Sequence, residues 1–221
     1  RSRTAVSVRS VLNHTANREK IKMAEISAKA VMQLRKQTGL GMMDCKKALQ
    51  ESDGDVDKAV EYLRKQGMAA VEKRAGRDAT DGLIISYIHP GSRLGVLVEV
   101  NCETDFVART NDFQQFGRDV AMHIAAAQPL AVGRDGIDAE VIEREKGIFL
   151  EQAKNEGKPE NIAEKIVHGR VEKFYQENCL MEQAFVKNPD QTIEQLITDL
   201  TAKIGEKIGV RRFSCFRLGE E

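Results

Sequence analysis

The 221-residue sequence has no tryptophan, only four prolines and four cysteines, and no long apolar run. No hydrophobic stretch approaches the ~18 residues that a helix needs to cross a bilayer, which excludes a membrane-spanning protein. The cysteines stand alone, without a C-x-x-C pair, a spacing typical of neither a zinc site nor a secreted disulfide framework. They are Cys45, Cys102, Cys179 and Cys215. We therefore expect no membrane partner, and reduced, mostly buried cysteines in an intracellular protein.

Enzyme signatures are also missing. There is no G-x-x-x-x-G-K-[ST] segment, so a Walker loop for nucleotide phosphate is excluded. Gly39-Leu40-Gly41 resembles the start of a dinucleotide loop, but it lacks the third glycine and does not follow a predicted strand. None of the four histidines has a carboxylate or cysteine at ligand spacing, and we expect His123, on an alanine-rich helix, to be packed or half-exposed and not catalytic. The sequence thus predicts a binding protein with no catalytic residue, cofactor or metal.

The net charge of zero hides an asymmetry along the chain. Residues 1–22 hold six basic side chains against Glu19, a local charge of +5, so the remaining residues carry −5. This segment fits a transit peptide, a nucleic-acid arm or, as we favour, an extension upstream of a native start at Met23. Beyond it, basic and acidic residues are interspersed, which argues against nucleic acid as a direct partner.

A small helical domain is predicted over residues 23–67. Apolar residues recur there at helical spacing in three short segments, with Asp55 as the N-cap and Gly67 as the end of the third. The expected core residues are Val31, Leu34, Cys45, Ala48, Leu49, Val56, Ala59, Val60 and Leu63. Residues 68–81, charged and small with a glycine break, are expected to form a partly helical linker.

A larger α+β domain is predicted over residues 82–221. Two Ile/Val-rich segments flank a Pro-Gly turn and predict an antiparallel β-hairpin, and later segments show helical periodicity. The predicted elements are strands 82–88, 94–101 and 210–218, helices 113–127 and 191–204, and a helical hairpin at about 138–176. On the hairpin, Ile148 and Ile162 are expected to belong to its apolar stripes.

Two segments of the sequence are specific enough to indicate a family. Thr38–Leu49 (TGLGMMDCKKAL) and Val98–Ala108 (VEVNCETDFVA) closely resemble the two signature stretches of translation elongation factor Ts. Gly157-Lys158-Pro159 and Ile204-Gly205-Glu206 are also similar to that family. The resemblance extends from Met23 to about Leu218 and fits the short form, which has one half-core instead of two.

The resemblance implies a fold and a function. The fold is a three-helix, ubiquitin-associated-like domain, a linker and an α+β core with an antiparallel sheet. The function is guanine-nucleotide exchange: the factor binds elongation factor Tu, both GDP-bound and nucleotide-free, and promotes GDP release without chemically transforming anything. A factor that binds Tu better when its nucleotide site is empty must lower the affinity of Tu for GDP. GDP must in turn lower the affinity of Tu for the factor by the same amount. The expected compartment is the bacterial cytoplasm, or a mitochondrion or chloroplast if residues 1–22 belong to a transit peptide.

The second signature holds the residues that the resemblance assigns to exchange: Thr104, Asp105, Phe106 and Val107. In the family, the matching Asp and Phe insert beside the Tu nucleotide site and disturb its Mg²⁺ and phosphate contacts. An exposed aromatic residue in a polar stretch suits such a wedge. The alternative is that Phe106 packs under the helix that follows it.

The first signature is assigned to docking. Gly41, Met42 and Met43 match the region that the family places against the nucleotide-binding domain of Tu. Flexible thioethers suit a protein-docking patch, although methionines also fill cores. We favour docking for both methionines.

The resemblance to the short form also implies a homodimer in which the last strand takes part. Phe213 and Cys215 share one face of that strand, and Phe216 lies on the other. A free strand edge is a natural place for a second chain to pair. Some short members place a cysteine where this chain has Ser214, and a shift of one residue turns a side chain to the opposite face. We therefore expect a dimer without a Cys215 disulfide.

Two other functions compete with exchange. An adaptor with a ubiquitin-associated-like module would explain residues 26–67 but leaves the second signature without a role. An RNA-binding or ribosome-attached factor is supported only by residues 1–22.

Overall fold

The computed structural model describes residues 26–220, so the predicted extension over residues 1–22 lies outside the described part. The described residues divide into two compact units, one up to Lys73 and one from Arg74 onward. The helices are α1 Ala28–Thr38, α2 Met42–Glu51, α3 Val56–Arg74, α4 Asp105–Ala108, α5 Asn111–Ala127, α6 Ala139–Asn155, α7 Glu160–Asn178 and α8 Ile193–Ile204. The strands are β1 Asp81–Ile88, β2 Leu94–Cys102, β3 Ala184–Phe185, β4 Asn188–Thr192 and β5 Gly209–Arg217.

The first unit is built from α1, α2 and α3. Ser27 caps α1 by accepting the Ala30 N–H at 3.1 Å, and Gly39 ends the helix in the left-handed conformation at φ 71°. The buried residues match those predicted from periodicity: Val31, Leu34, Cys45, Ala48, Leu49, Ala59 and Leu63. Val56 and Val60 pack against them from partly buried positions.

Helix α3 is longer than the sequence pattern predicted. It does not end at Gly67 but continues to Arg74, through part of the segment expected to be a linker. A glycine inside a helix costs about 1 kcal/mol relative to alanine, which the strong helix formers after Gly67 can offset. Gly67 is itself buried inside the helix and does not act as a helix stop.

The second unit contains the three-stranded antiparallel sheet, in the order β1-β2-β5. The α+β class, the β-hairpin and the closing strand are thus confirmed. Helix α5 covers one face of this sheet and packs on the central strand, whose inward residues Val96, Val98 and Val100 are almost fully buried. Gly117 permits the close approach, because a Cβ at that position would collide with the Ile85 side chain.

The predicted helical hairpin is formed by α6 and α7, close to the expected bounds. Its base is fixed by Arg134, which pairs with Glu172 at 2.8 Å and with Glu182 at 2.6 Å. The guanidinium of Arg134 also stacks on the Tyr175 ring, 4.5 Å from the ring centre. These contacts tie the segment before α6 to the end of α7.

His123 lies fully buried in the core of the second unit, the packed one of the two positions expected for it. Its Nε2 lies 2.9 Å from Gln183 Oε1, and its Nδ1 accepts the Val186 N–H at 3.3 Å. The ring is therefore neutral with the proton on Nε2, and burial lowers the pKa of His123. Its role is structural, since both ring nitrogens are occupied by contacts within the core.

Candidate functional site

The second signature forms the end of β2 and the four-residue helix α4, immediately before α5. Thr104 is the N-cap of α4: its Oγ1 accepts the Val107 N–H at 3.5 Å. A helix this short is not stable by itself, so its neighbours must hold it. Val107 packs against the core and Ala108 is buried, which anchors the side of the helix that faces the protein.

The outward side of α4 presents Phe106 and Asp105. Phe106 is 77% exposed, more than any other large apolar side chain in the described residues. It therefore does not pack under α5, which removes the structural alternative. Asp105 pairs with Arg109 at 2.7 Å, one helical turn further along. The site thus consists of one exposed aromatic ring flanked by an exposed, paired carboxylate.

The base of this helix is closed by Cys102, whose thiol donates to the Thr104 carbonyl at 3.1 Å. Burial, and secondarily the nearby Glu206 carboxylate, raise the pKa of Cys102 to about 11. The thiol consequently stays protonated near neutral pH and is a poor nucleophile. Its place in the site is structural.

The first signature lies in the first unit, at the start of α2. Gly41 is the N-cap residue, in extended backbone conformation, and the Asp44 carboxylate lies beside it. Met42 is 47% exposed and Met43 is 74% exposed, so neither is core filler. The unit therefore shows two adjacent flexible apolar side chains to solvent, as a docking patch requires.

The closing strand β5 is an edge strand of the sheet. Phe213 packs against the core, opposite Val98 of β2, and Cys215 follows on the same face but is exposed. Phe216 points from the other face and is 67% exposed. The predicted alternation along the strand is confirmed.

Two residues near α4 were not singled out as site residues by the sequence. Arg109 was detectable as an i,i+4 partner of Asp105, a spacing that favours ion pairs on helices. Glu206 contacts Thr104 from a loop 102 residues further along the chain, so no local pattern could have found it.

In the described residues, no helix is long and apolar enough to span a membrane. The structure thus defines a two-unit α+β protein whose candidate site is made of exposed apolar side chains on short, anchored elements. Such a site suits protein–protein contact.

The sequence matches a family model described as "Elongation factor TS" over residues 8–220. A protein named elongation factor Ts from Desulforamulus reducens is 58% identical over 198 residues, covering 90% of this chain and 91% of the relative. One from Geotalea daltonii is 60% identical over 195 residues, covering 88% and 90%. One from Geobacter sulfurreducens is 58% identical over 195 residues, with the same coverage. The chain belongs to the elongation factor Ts family, and its role is in translation elongation.

Proposed function

We propose that this protein is a guanine-nucleotide exchange factor that binds elongation factor Tu, in the GDP-bound and nucleotide-free states, and promotes GDP release. The observation that carries the proposal is the 77% exposure of Phe106 on a short helix whose other side is anchored in the core. An apolar ring held out in solvent costs free energy until a partner covers it. Covering it in the complex supplies the free energy that the exchange reaction needs.

The proposed mechanism involves no covalent step and no catalytic side chain. Phe106 enters beside the nucleotide site of Tu and is accommodated better when GDP and Mg²⁺ are absent. Asp105 is carried by the same helix turn and reaches the same region. Because the two ligands compete through the geometry of one site, each lowers the affinity of the other by the same factor. GTP, present in excess, can then bind to the emptied site.

Docking is assigned to the first unit. Met42 and Met43 follow the N-cap residue Gly41 and expose thioethers that adapt to an apolar partner surface. We propose that this patch supplies affinity for the nucleotide-binding domain of Tu, while α4 supplies the displacement of GDP. Separate surfaces for affinity and displacement allow the complex to persist while GDP leaves.

We also propose a homodimer in which the edge strand β5 takes part. Its support is the outer edge of β5, which pairs with no strand within residues 26–220, together with the exposed Phe216 on the outer face of the sheet. The compartment that fits a partner of the translation machinery, and bacterial relatives, is the bacterial cytoplasm.

The test of the exchange function is the release of a fluorescent GDP analogue from purified Tu, chased with excess GTP. Adding this protein should raise the release rate in proportion to its concentration until the complex saturates. Excess GDP should in turn dissociate a preformed complex between this protein and Tu. Release that is unchanged at saturating concentrations would overturn the proposed function.

A further inference from the structure

Two loops of the second unit meet at the base of α4. One contains Glu103 and Thr104, and the other connects α8 to β5 and contains Glu206 and Lys207. Glu206 Oε2 accepts the Thr104 N–H at 3.0 Å, and Glu206 Oε1 accepts the Thr104 hydroxyl at 2.7 Å. Both carboxylate oxygens are thus bound to a single residue, which lies two positions before Phe106.

Glu103 and Lys207, the next residues in the two loops, form a similar hydrogen bond in which the carboxylate and the N–H are exchanged between the loops. Glu103 Oε1 accepts the backbone N–H of Lys207 at 2.6 Å, and Arg77 pairs with Glu103 Oε2 at 3.0 Å. The Lys207 N–H is the largest cause of the lowered pKa of Glu103. In each loop, one carboxylate therefore accepts a hydrogen bond from a backbone N–H of the other loop. We call these four residues (103, 104, 206 and 207) the carboxylate network.

The second loop is itself held in place. Lys207 Nζ donates to the carbonyls of Ala75 and Arg77 at 2.7 and 2.8 Å, and Arg74 Nε donates to the Gly205 carbonyl at 3.0 Å. The carboxylate network thus connects α4 to a loop that is itself held by three hydrogen bonds to residues 74–77.

The hydroxyl of Thr104 links this network to the helix. It donates to Glu206 and accepts from the Val107 N–H, so the carboxylate sets the rotation of the hydroxyl that caps α4. Phe106 has almost no packing of its own. Its position depends on the orientation of α4, and that orientation depends on the cap and on the burial of Val107 and Ala108.

We propose that Glu206 is a positioning residue for exchange: through Thr104 it holds Phe106 in one orientation before the partner arrives. The proposal rests on the proposed function, because it assigns Glu206 a role in presenting the wedge. A ring that is ordered in the free protein loses less conformational freedom in the complex, and the rate of GDP displacement is correspondingly higher. Glu206 itself need not touch Tu.

The absence of tryptophan offers a direct readout. The substitution Phe106→Trp introduces a single tryptophan on α4, which can be excited selectively over the three tyrosines, and its anisotropy decay reports local motion on the nanosecond timescale. In that background, Glu206→Ala should increase the amplitude of fast motion, and Glu206→Gln, which retains one acceptor oxygen, should give an intermediate value. The thermal unfolding midpoint shows whether each variant is folded. Glu206→Gln keeps the shape of the side chain and remains informative if Glu206→Ala does not fold.

The second readout is GDP release from Tu with the native Phe106. We expect Glu206→Ala to slow the accelerated release about tenfold, the loss typical of a hydrogen bond to a charged group, and Glu206→Gln to slow it less. Glu182→Gln is the matched control. Its carboxylate also binds one residue through both oxygens, Arg134, but lies away from α4. This control should change neither readout.

The outcomes separate the two proposals. An unchanged anisotropy amplitude in Glu206→Ala, or unslowed release despite greater motion, would overturn the positioning role and leave exchange standing. Equal effects of Glu182→Gln would also overturn it, because they would indicate a nonspecific loss of packing. If the unsubstituted protein failed to accelerate GDP release, the proposed function would fall, and the anisotropy measurement would still show whether Glu206 orders α4.

Discussion

Replacing Phe106 with alanine removes the side chain on which the exchange proposal depends, and the structure sets the size of the effect. A phenylalanine side chain buries roughly 200 Å² when fully covered. With 77% of the residue exposed in the free protein, about 150 Å² is available to a partner. At about 25 cal/mol per Å², full coverage would contribute at most ~4 kcal/mol. Because a wedge is covered only in part, we expect about half of this, or a 30-fold loss of the accelerated GDP release.

The same exposure predicts a small effect on folding. Only about 50 Å² of Phe106 is covered within the protein, so its truncation should lower the free energy of unfolding by about 1 kcal/mol. Phe106→Ala is therefore expected to reduce the rate of GDP release strongly while it changes the free energy of unfolding only slightly. Urea denaturation measures the first, and stopped-flow release of a fluorescent GDP analogue from Tu measures the second.

A matched control is Leu130→Ala, which removes another exposed apolar side chain, 58% accessible, outside the site. It should leave GDP release unchanged. The Phe106→Ala protein should still bind nucleotide-free Tu, because docking is assigned to other residues. Release as fast as with the unsubstituted protein at saturating concentration would exclude Phe106 from the mechanism and refute the reasoning from exposure.

Three further predictions concern other parts of the protein. Met42→Ser combined with Met43→Ser should weaken binding to Tu about tenfold in calorimetry, at unchanged stability. Met32→Ser on α1, where the exposure lies between those of Met42 and Met43, should not weaken binding, and equal losses of affinity would remove the docking role. Light scattering in reductant should give twice the chain mass with or without Cys215→Ser, and the mass of one chain would refute the dimer. Burial lowers the pKa of His123 in the folded state below its ordinary value of 6.5. The stabilisation from the neutral ring should therefore be fully present above pH 6.5 and decline as the pH falls below that value. The thermal unfolding midpoint should fall less between pH ~7.5 and ~5 in His123→Gln than in the unsubstituted protein. An equal fall in both proteins would contradict the assignment of His123 as a buried neutral ring.

The fold was predictable where hydrophobic periodicity leaves one solution. In α2, Cys45, Ala48 and Leu49 lie on one side at helical spacing, and all three are fully buried. In β2, alternate residues from Val96 onward face the core, as the period of two predicts. Gly39 was correctly predicted as a helix end because nothing after it continues the helical pattern of α1.

Prediction failed where the helices are charged on several sides. Ile148 and Ile162 were expected on the apolar stripes of the helical hairpin, yet they are 41% and 45% exposed. The positions that are fully buried are occupied by the small residues Ala153 and Ala163, which allow α6 and α7 to approach closely. A scale of hydrophobicity ranks alanine below isoleucine, so a pattern search overlooks a buried alanine where packing distance decides. Val171, also predicted on the stripe of α7, is buried as expected.

The short strands β3 and β4 were missed for a different reason. Pro189 lies inside β4, and proline normally argues against a strand unless the strand is at an edge. The candidate site was predictable only in part. The exposure of Phe106 was expected from the resemblance to the family, because the local pattern alone also allowed the ring to pack under the next helix. The contact between Thr104 and Glu206 depends on tertiary structure, which periodicity does not encode.

The carboxylate network has a consequence for how the protein folds during its synthesis. Its hydrogen bonds join residues 102 and 104 positions apart, and β5 joins the same sheet as β2 across a similar separation. A chain that emerges from the ribosome with its N-terminus first can fold α1, α2 and α3 early, because their contacts are local. The helix that carries Phe106 must wait for a loop and a strand that are synthesised about a hundred residues later. Under the proposed function, a nascent chain acquires the proposed docking patch well before Phe106 has a fixed position, so the order of synthesis would keep a half-made factor from releasing nucleotide.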